Sequence, residues 1–152
     1  MKSGRRLGID FGDVRIGLAI SDSSGLLASP LSTLNNVGID TVVSEIVDLA
    51  EEYEIAAIYV GLPIHLSGTE GSAAIKAREF AAELQAHMPD DIEIRCVDER
   101  LSTSQAERES LSLGKKISKD NIDQLAAVVI LESAIQAERV QGMWAGKPVS
   151  DL

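Results

Sequence analysis

Apolar residues alternate with small or polar ones over the first stretch of the chain. Residues 6–11 (Arg-Leu-Gly-Ile-Asp-Phe) read as a strand and residues 16–20 (Ile-Gly-Leu-Ala-Ile) as a second. Gly12 lies between them, so the pair predicts a hairpin with a short turn. Residues 21–25 (Ser-Asp-Ser-Ser-Gly) are turn-forming. Residues 26–34 follow as a third strand, placed at an edge because Pro30 cannot donate to a ladder. From Ile39 the period changes. Val43, Ile46, Val47 and Ala50 share one helical face, with Glu45, Asp48, Glu51 and Glu52 mostly opposite. The continuous apolar run 56–61 suits a strand buried on both faces. Helical spacing returns over 73–88 through Ala77, Phe80, Ala81, Leu84 and Met88, and residues 92–97 alternate as a strand. Ser104 and Glu107 fit a capping box, with Gly114 as the stop of a short helix. A last helix covers about 121–139, its apolar face formed by Ile122, Leu125, Ala126, Val129 and Ile130.

The order β-β-β-α-β-α-β-α-α predicts an α/β domain. Its mixed five-stranded sheet has three antiparallel strands followed by βαβ crossovers, with helices on both faces. The 152 residues suit one domain, taken as 1–141. Residues 142–152 show no periodicity and are expected to form a mobile tail.

Composition adds limits. Only 3% of residues are aromatic, so the core must be aliphatic. No apolar run is long enough to span a bilayer, and no signal-peptide stretch follows the basic start. Cys96 is the single cysteine, which excludes an intrachain disulfide and a cysteine-based zinc site. A cytoplasmic protein is expected. The net charge of −10 counts against simple nucleic-acid binding. Two local basic groups stand out against it: Arg5, Arg6 and Arg15, and Lys115, Lys116 and Lys119. Each reads either as a nucleic-acid contact or as solvated surface charge.

Three acids carry the candidate chemistry. Asp10 sits in an apolar strand, where an unpaired carboxylate is costly. It reads as a ligand-holding acid or as a turn aspartate at a strand end. Asp98 and Glu99 end the strand at 92–97. Successive strand side chains point to opposite faces, so the two should not share one role; Glu99 is the favoured metal ligand. Arg100 then pairs with an acid or touches phosphate. Asp123 begins the last helix, where the helix dipole favours a carboxylate without any function, and spacing alone does not bring it to Asp10. Carboxylates from three elements are what divalent-metal hydrolysis requires. The loop at 61–71 lies before a helix N-terminus, where phosphate can bind, but it lacks the Walker A lysine. Glu70 reads as a fourth acid or a helix-start charge. His65 and His87 read as surface residues.

Four segments together resemble one family. They are Gly8-Ile9-Asp10-Phe11-Gly12 with Arg15-Ile16-Gly17, Val60-Gly61-Leu62-Pro63 with Gly68-Thr69-Glu70-Gly71, Val97-Asp98-Glu99-Arg100-Leu101-Ser102-Thr103, and Asp123-Gln124-Leu125-Ala126-Ala127. The chain thereby resembles the YqgF/RuvX family, described as pre-16S rRNA nucleases or Holliday-junction-resolvase-like proteins. The resemblance spans roughly residues 6–137. It implies an RNase H-like fold and a Mg²⁺ or Mn²⁺ site built from Asp10, Glu99 and Asp123. It also implies a role in maturing the 5′ end of small-subunit ribosomal RNA. Val14 stands where the family usually has lysine, which removes a phosphate contact, and His65 where it often has asparagine. The acidic total charge points to ribosomal proteins as partners that deliver the RNA. Two alternatives use the same residues: a resolvase of four-way DNA, which would need a homodimer with two sites, and a non-catalytic ribosome-assembly binder. A nucleotide-binding relative of the actin-like ATPases would need a second such domain.

Overall fold

The computed structural model describes residues 3–64, 67, 68, 70–99 and 119–149, with only the backbone for residues 119 and 120. The strands are β1 (Arg5–Phe11), β2 (Arg15–Ser21), β3 (Ala28–Asn35), β4 (Ile55–Leu62), β5 (Glu93–Asp98) and β6 (Lys147–Pro148). The helices are α1 (Ile39–Glu52), α2 (Ser72–His87) and α3 (Lys119–Gln141). One sheet runs in the order β3-β2-β1-β4-β5-β6. β1, β2 and β3 pair antiparallel, whereas β1, β4 and β5 are parallel. This is the mixed sheet expected, with one more strand. The short helix expected between Ser104 and Gly114 lies outside the described residues.

The sixth strand comes from a segment with no periodic pattern. Lys147 and Pro148 pair antiparallel with Cys96 and Arg95. Arg95 secures them by donating from Nε to the Ala145 carbonyl at 2.9 Å and from Nη2 to that of Gly146 at 2.8 Å. These contacts are non-local and leave no mark on hydrophobic spacing.

The two faces of the sheet differ in side-chain size. One presents Leu7, Ile9, Ile16, Leu18, Ile58 and Val60, which pack against Val42 and Ile46 of α1 and Phe80 and Leu84 of α2. Phe11 stacks on Phe80 with ring centroids 4.5 Å apart. The other face, on which α3 lies, carries Gly8, Gly17, Ala19, Ala57 and Gly61 at alternate positions around the buried Tyr59 ring. Close approach is the consequence. A Cβ built on Gly8 would stand 2.8 Å from Leu131 Cβ and 2.9 Å from the Ala127 carbonyl oxygen. One on Gly61 would stand 2.6 Å from Ile130 Cδ1. Interiors have no slack for such overlaps, so the small residues set the depth at which α3 docks. Among the described residues, no helix is long and apolar enough to cross a membrane.

Candidate functional site

Asp10 lies in the last turn of pleat of β1, opposite Gly17 of β2. Gly17 in turn faces Thr33 of β3. On the other side Ile9 is level with Val60 of β4, which puts Asp10 beside Gly61. Cross-strand neighbours point to the same face. Thr33, Gly17, Asp10 and Gly61 therefore form one row on the face that α3 covers, at the carboxyl end of the parallel strands.

The other two acids arrive over the glycines of this row. A Cβ on Gly17 would overlap the Asp123 carbonyl oxygen and stand 3.1 Å from the Asp123 Cβ, so the first turns of α3 rest directly on Gly17. A Cβ on Gly61 would stand 3.2 Å from Glu99 Oε1. Asp123 and Glu99 thus flank Asp10 on the two adjacent strands, each strand about 4.8 Å from the next. All three are half-buried. They stand side by side: among the described residues, no three acidic, histidine or cysteine side chains converge on a single point able to hold an ion. Three carboxylates with hard oxygen donors nonetheless have the chemistry that Mg²⁺ and Mn²⁺ select.

Asp98 departs from this group. It pairs with Leu62, and its neighbour Val97 belongs to the α3 face, so strand alternation turns Asp98 to the other side. Glu70, two residues before the start of α2, forms an ion pair with Arg78 of that helix.

The expected nucleic-acid contacts fare unevenly. Arg15 donates from Nε to Asp123 Oδ2 at 2.8 Å, so its guanidinium is engaged with an acid of the site. Lys76 pairs with Asp13 at 3.0 Å on the exposed hairpin turn. Arg100, Lys115 and Lys116, and the side chain of Lys119, lie outside the described residues, as does His65. Sequence spacing overlooked Gln124, whose Nε2 donates to Thr33 Oγ1 at 3.0 Å and ties the start of α3 to the edge strand. The Asp123-Gln124 dipeptide was visible, but its partner 91 residues away was not.

Comparison with known proteins matches this chain to one group. The family model described as "RuvX: Holliday junction resolvase" matches residues 4–137. A protein of Streptomyces avermitilis named "Putative pre-16S rRNA nuclease" is 42% identical over 98% of this chain and 96% of its own length. One of the same name from a Sulfurihydrogenibium species is 45% identical over 85% of this chain and 88% of its own. Among solved structures, Thermus thermophilus RuvC in complex with Holliday junction substrate superposes with a TM-score of 0.62 at 15% identity, covering 95% of this chain and 99% of that one. The yeast mitochondrial Holliday junction resolvase Ydc2 gives 0.56 at 12% identity, covering 90% and 80%. At such identities the structural likeness speaks for the fold alone, which is RNase H-like. With the family model spanning nearly all of the sheet and α3, and relatives above 40% identity along almost the whole chain, this chain belongs to the RuvX family.

Proposed function

We propose that this chain is a metal-dependent endonuclease that hydrolyses phosphodiester bonds, with the 5′ end of pre-16S rRNA as its substrate. The observation that carries the reading is the row Gly17–Asp10–Gly61, with Asp123 seated over one glycine and Glu99 over the other. The names of the relatives supply the substrate class. On this reading the activity lies in the cytoplasm, with ribosomal proteins as partners.

Asp10, Glu99 and Asp123 would hold the divalent ion, Mg²⁺ or Mn²⁺. When bound, that ion offsets phosphate charge and acidifies a water at neutral pH. The chain's own part is positional. Asp10 is held by strand pairing on both sides, so its carboxylate has little freedom beyond its rotamers. Asp123 is held by the docking of α3 on Gly17. Glu99 extends from the end of β5 over a position with no side chain. Fixing acids on paired strands and a packed helix is what gives a hydrolytic site its geometry. Arg100, Lys115, Lys116 and Lys119 are the further candidates for phosphate contact. Cleavage would leave a 5′-phosphate and a 3′-hydroxyl.

Purified protein incubated with Mn²⁺ and a pre-16S RNA fragment is expected to cut it, and Asp10→Asn to lower the rate at least about a hundredfold, the upper end of what disturbing a metal site's outer partners costs. Equal cleavage by the two proteins would overturn the proposal. The family description favours a second reading, resolution of four-way DNA. That reaction needs two sites in a homodimer. A protein that stays monomeric on a four-way junction in sedimentation measurements would exclude it. A non-catalytic assembly role predicts that Asp10→Asn still supports maturation of 16S rRNA in cells.

A further inference from the structure

Arg15 invites the inference. It precedes Gly17 by two residues in β2, so it shares the face on which α3 and the acids lie. Its Nε donates to Asp123 Oδ2 at 2.8 Å, with side chains 30% and 20% exposed. That is too buried for water to screen the attraction fully and too open for the pair to be permanent. Asp123 follows Asp10 and Glu99 within two strand spacings. Like charges so close repel, and a guanidinium against one of them relieves this.

We propose that Arg15 is the internal counter-ion of the site: it occupies Asp123 until a divalent cation displaces it, and is then free to grip a phosphate of the substrate. The inference rests on the reading of Asp10, Glu99 and Asp123 as the metal-holding acids. Asp123 cannot offer Oδ2 to a metal and to Arg15 Nε at full strength at once. A cation bound through Oδ2 releases the guanidinium, whose planar fork suits phosphate better than an ammonium would. Metal and nucleic acid then favour each other's binding, since each stabilises the state in which the pair is open. Arg15 is in this account a counter-ion first and a phosphate contact second.

The sign of one measurement separates this from a purely structural role. Isothermal titration of Mn²⁺ into the protein without nucleic acid would compare wild type, Arg15→Gln and Asp10→Asn. Removing the competitor is expected to tighten Mn²⁺ binding by roughly fivefold in Arg15→Gln, the equivalent of a partly exposed ion pair. Were Arg15 a mere prop for Asp123, the same substitution would weaken binding, and that result, or an unchanged affinity, would overturn the proposal. Asp10→Asn separates the two levels: if wild type and Asp10→Asn bind Mn²⁺ alike, the metal reading itself fails and takes the counter-ion with it. Thermal melting gives a second readout. Metal-free Arg15→Gln is expected to melt below wild type, and saturating Mn²⁺ to erase the difference; a difference that persists in Mn²⁺ counts against it. Should Arg15→Gln not fold, Arg15→Lys keeps the charge but loses the planar Nε bond. Its Mn²⁺ affinity is expected to rise by about twofold, and a fall overturns the proposal.

Discussion

Gly17 shows how one missing side chain can govern a site. Its neighbour is the Asp123 carbonyl oxygen, backbone that cannot swing aside as a side-chain tip could. Gly17→Ala is expected to push the start of α3 off the sheet and to cost about 1–3 kcal/mol, the usual penalty of overpacking. Urea denaturation measures the loss, and Mn²⁺ affinity should fall with it. Cys96 offers a pH test. It is buried among the aliphatic side chains under α1 and α2, and burial pushes its thiol from 9.0 up to about 11, with Arg78 and Arg95 opposing. The folded state thus disfavours the thiolate. Its contribution to stability is complete below the unfolded thiol's pKa and is lost as pH rises through about 11. Native protein at pH 8 is expected to resist iodoacetamide, with labelling appearing only on unfolding.

At the scale of elements, α3 is fastened to the sheet at both ends. Its start carries Asp123 and Gln124, which reach Arg15 and Thr33. Towards its end, Glu138 is buried and accepts from Arg6 Nη2 at 2.8 Å and from the Tyr59 hydroxyl at 2.7 Å. The Tyr59 oxygen accepts the Ala145 backbone N–H at 3.2 Å, and the Arg6 guanidinium lies 5.0 Å from the centre of the Trp144 ring. Burial and the Glu138 bond push the Tyr59 phenol well above its ordinary range. The network joins the chain's first strand, a central strand, α3 and the segment leading to β6. Removing one partner would strand a buried charge. Glu138→Ala is expected to cost about 3–5 kcal/mol, whereas the paired change Arg6→Met with Glu138→Leu should cost far less. Chemical denaturation of the single and double variants tests this, and equal losses would mean that the ion pair is not the unit that matters.

For the whole molecule, charge is unevenly spread. Residues 16–75 contain no lysine or arginine but eight acids, so that stretch, including α1, repels nucleic acid. Binding must draw on cations outside that stretch. Five are candidates: Arg15, Arg100, Lys115, Lys116 and Lys119. If each neutralises one phosphate of a single strand, log K for RNA is expected to fall with log salt at a slope near −3.5, by about 0.7 per contact. Fluorescence anisotropy from 50 to 200 mM salt measures it. A much steeper slope would require cations beyond these five.

Much of this architecture was legible in advance, for a local reason. The hairpin of β1 and β2, helices α1 and α2, the apolar run of β4 and the long α3 all bury one face or both, and burial imposes a period that neighbouring residues record. The helix limits differ by a residue or two because fraying ends carry little burial: α3 runs Lys119–Gln141 where 121–139 is expected. β6 was missed because two residues make no pattern, and what holds it is Arg95 and Tyr59.

The candidate site divides along the same line. Sequence alone offered Asp10 as an acid in an apolar strand and favoured Glu99 over Asp98 as a metal ligand, and the resemblance added Asp123. It also determined the small residues at 8, 17 and 61, without saying what they admit. Only the tertiary structure decided that α3 enters there, setting Asp123 over Gly17 and Glu99 over Gly61 on either side of Asp10. It also turned Arg15 from a surface cation into the partner of Asp123. The physical reason is range. Periodicity reports how a residue sits relative to its immediate neighbours, whereas the meeting of residues 10, 17, 61, 99 and 123 depends on strand register and on helix depth. Contacts between segments far apart in the chain set both.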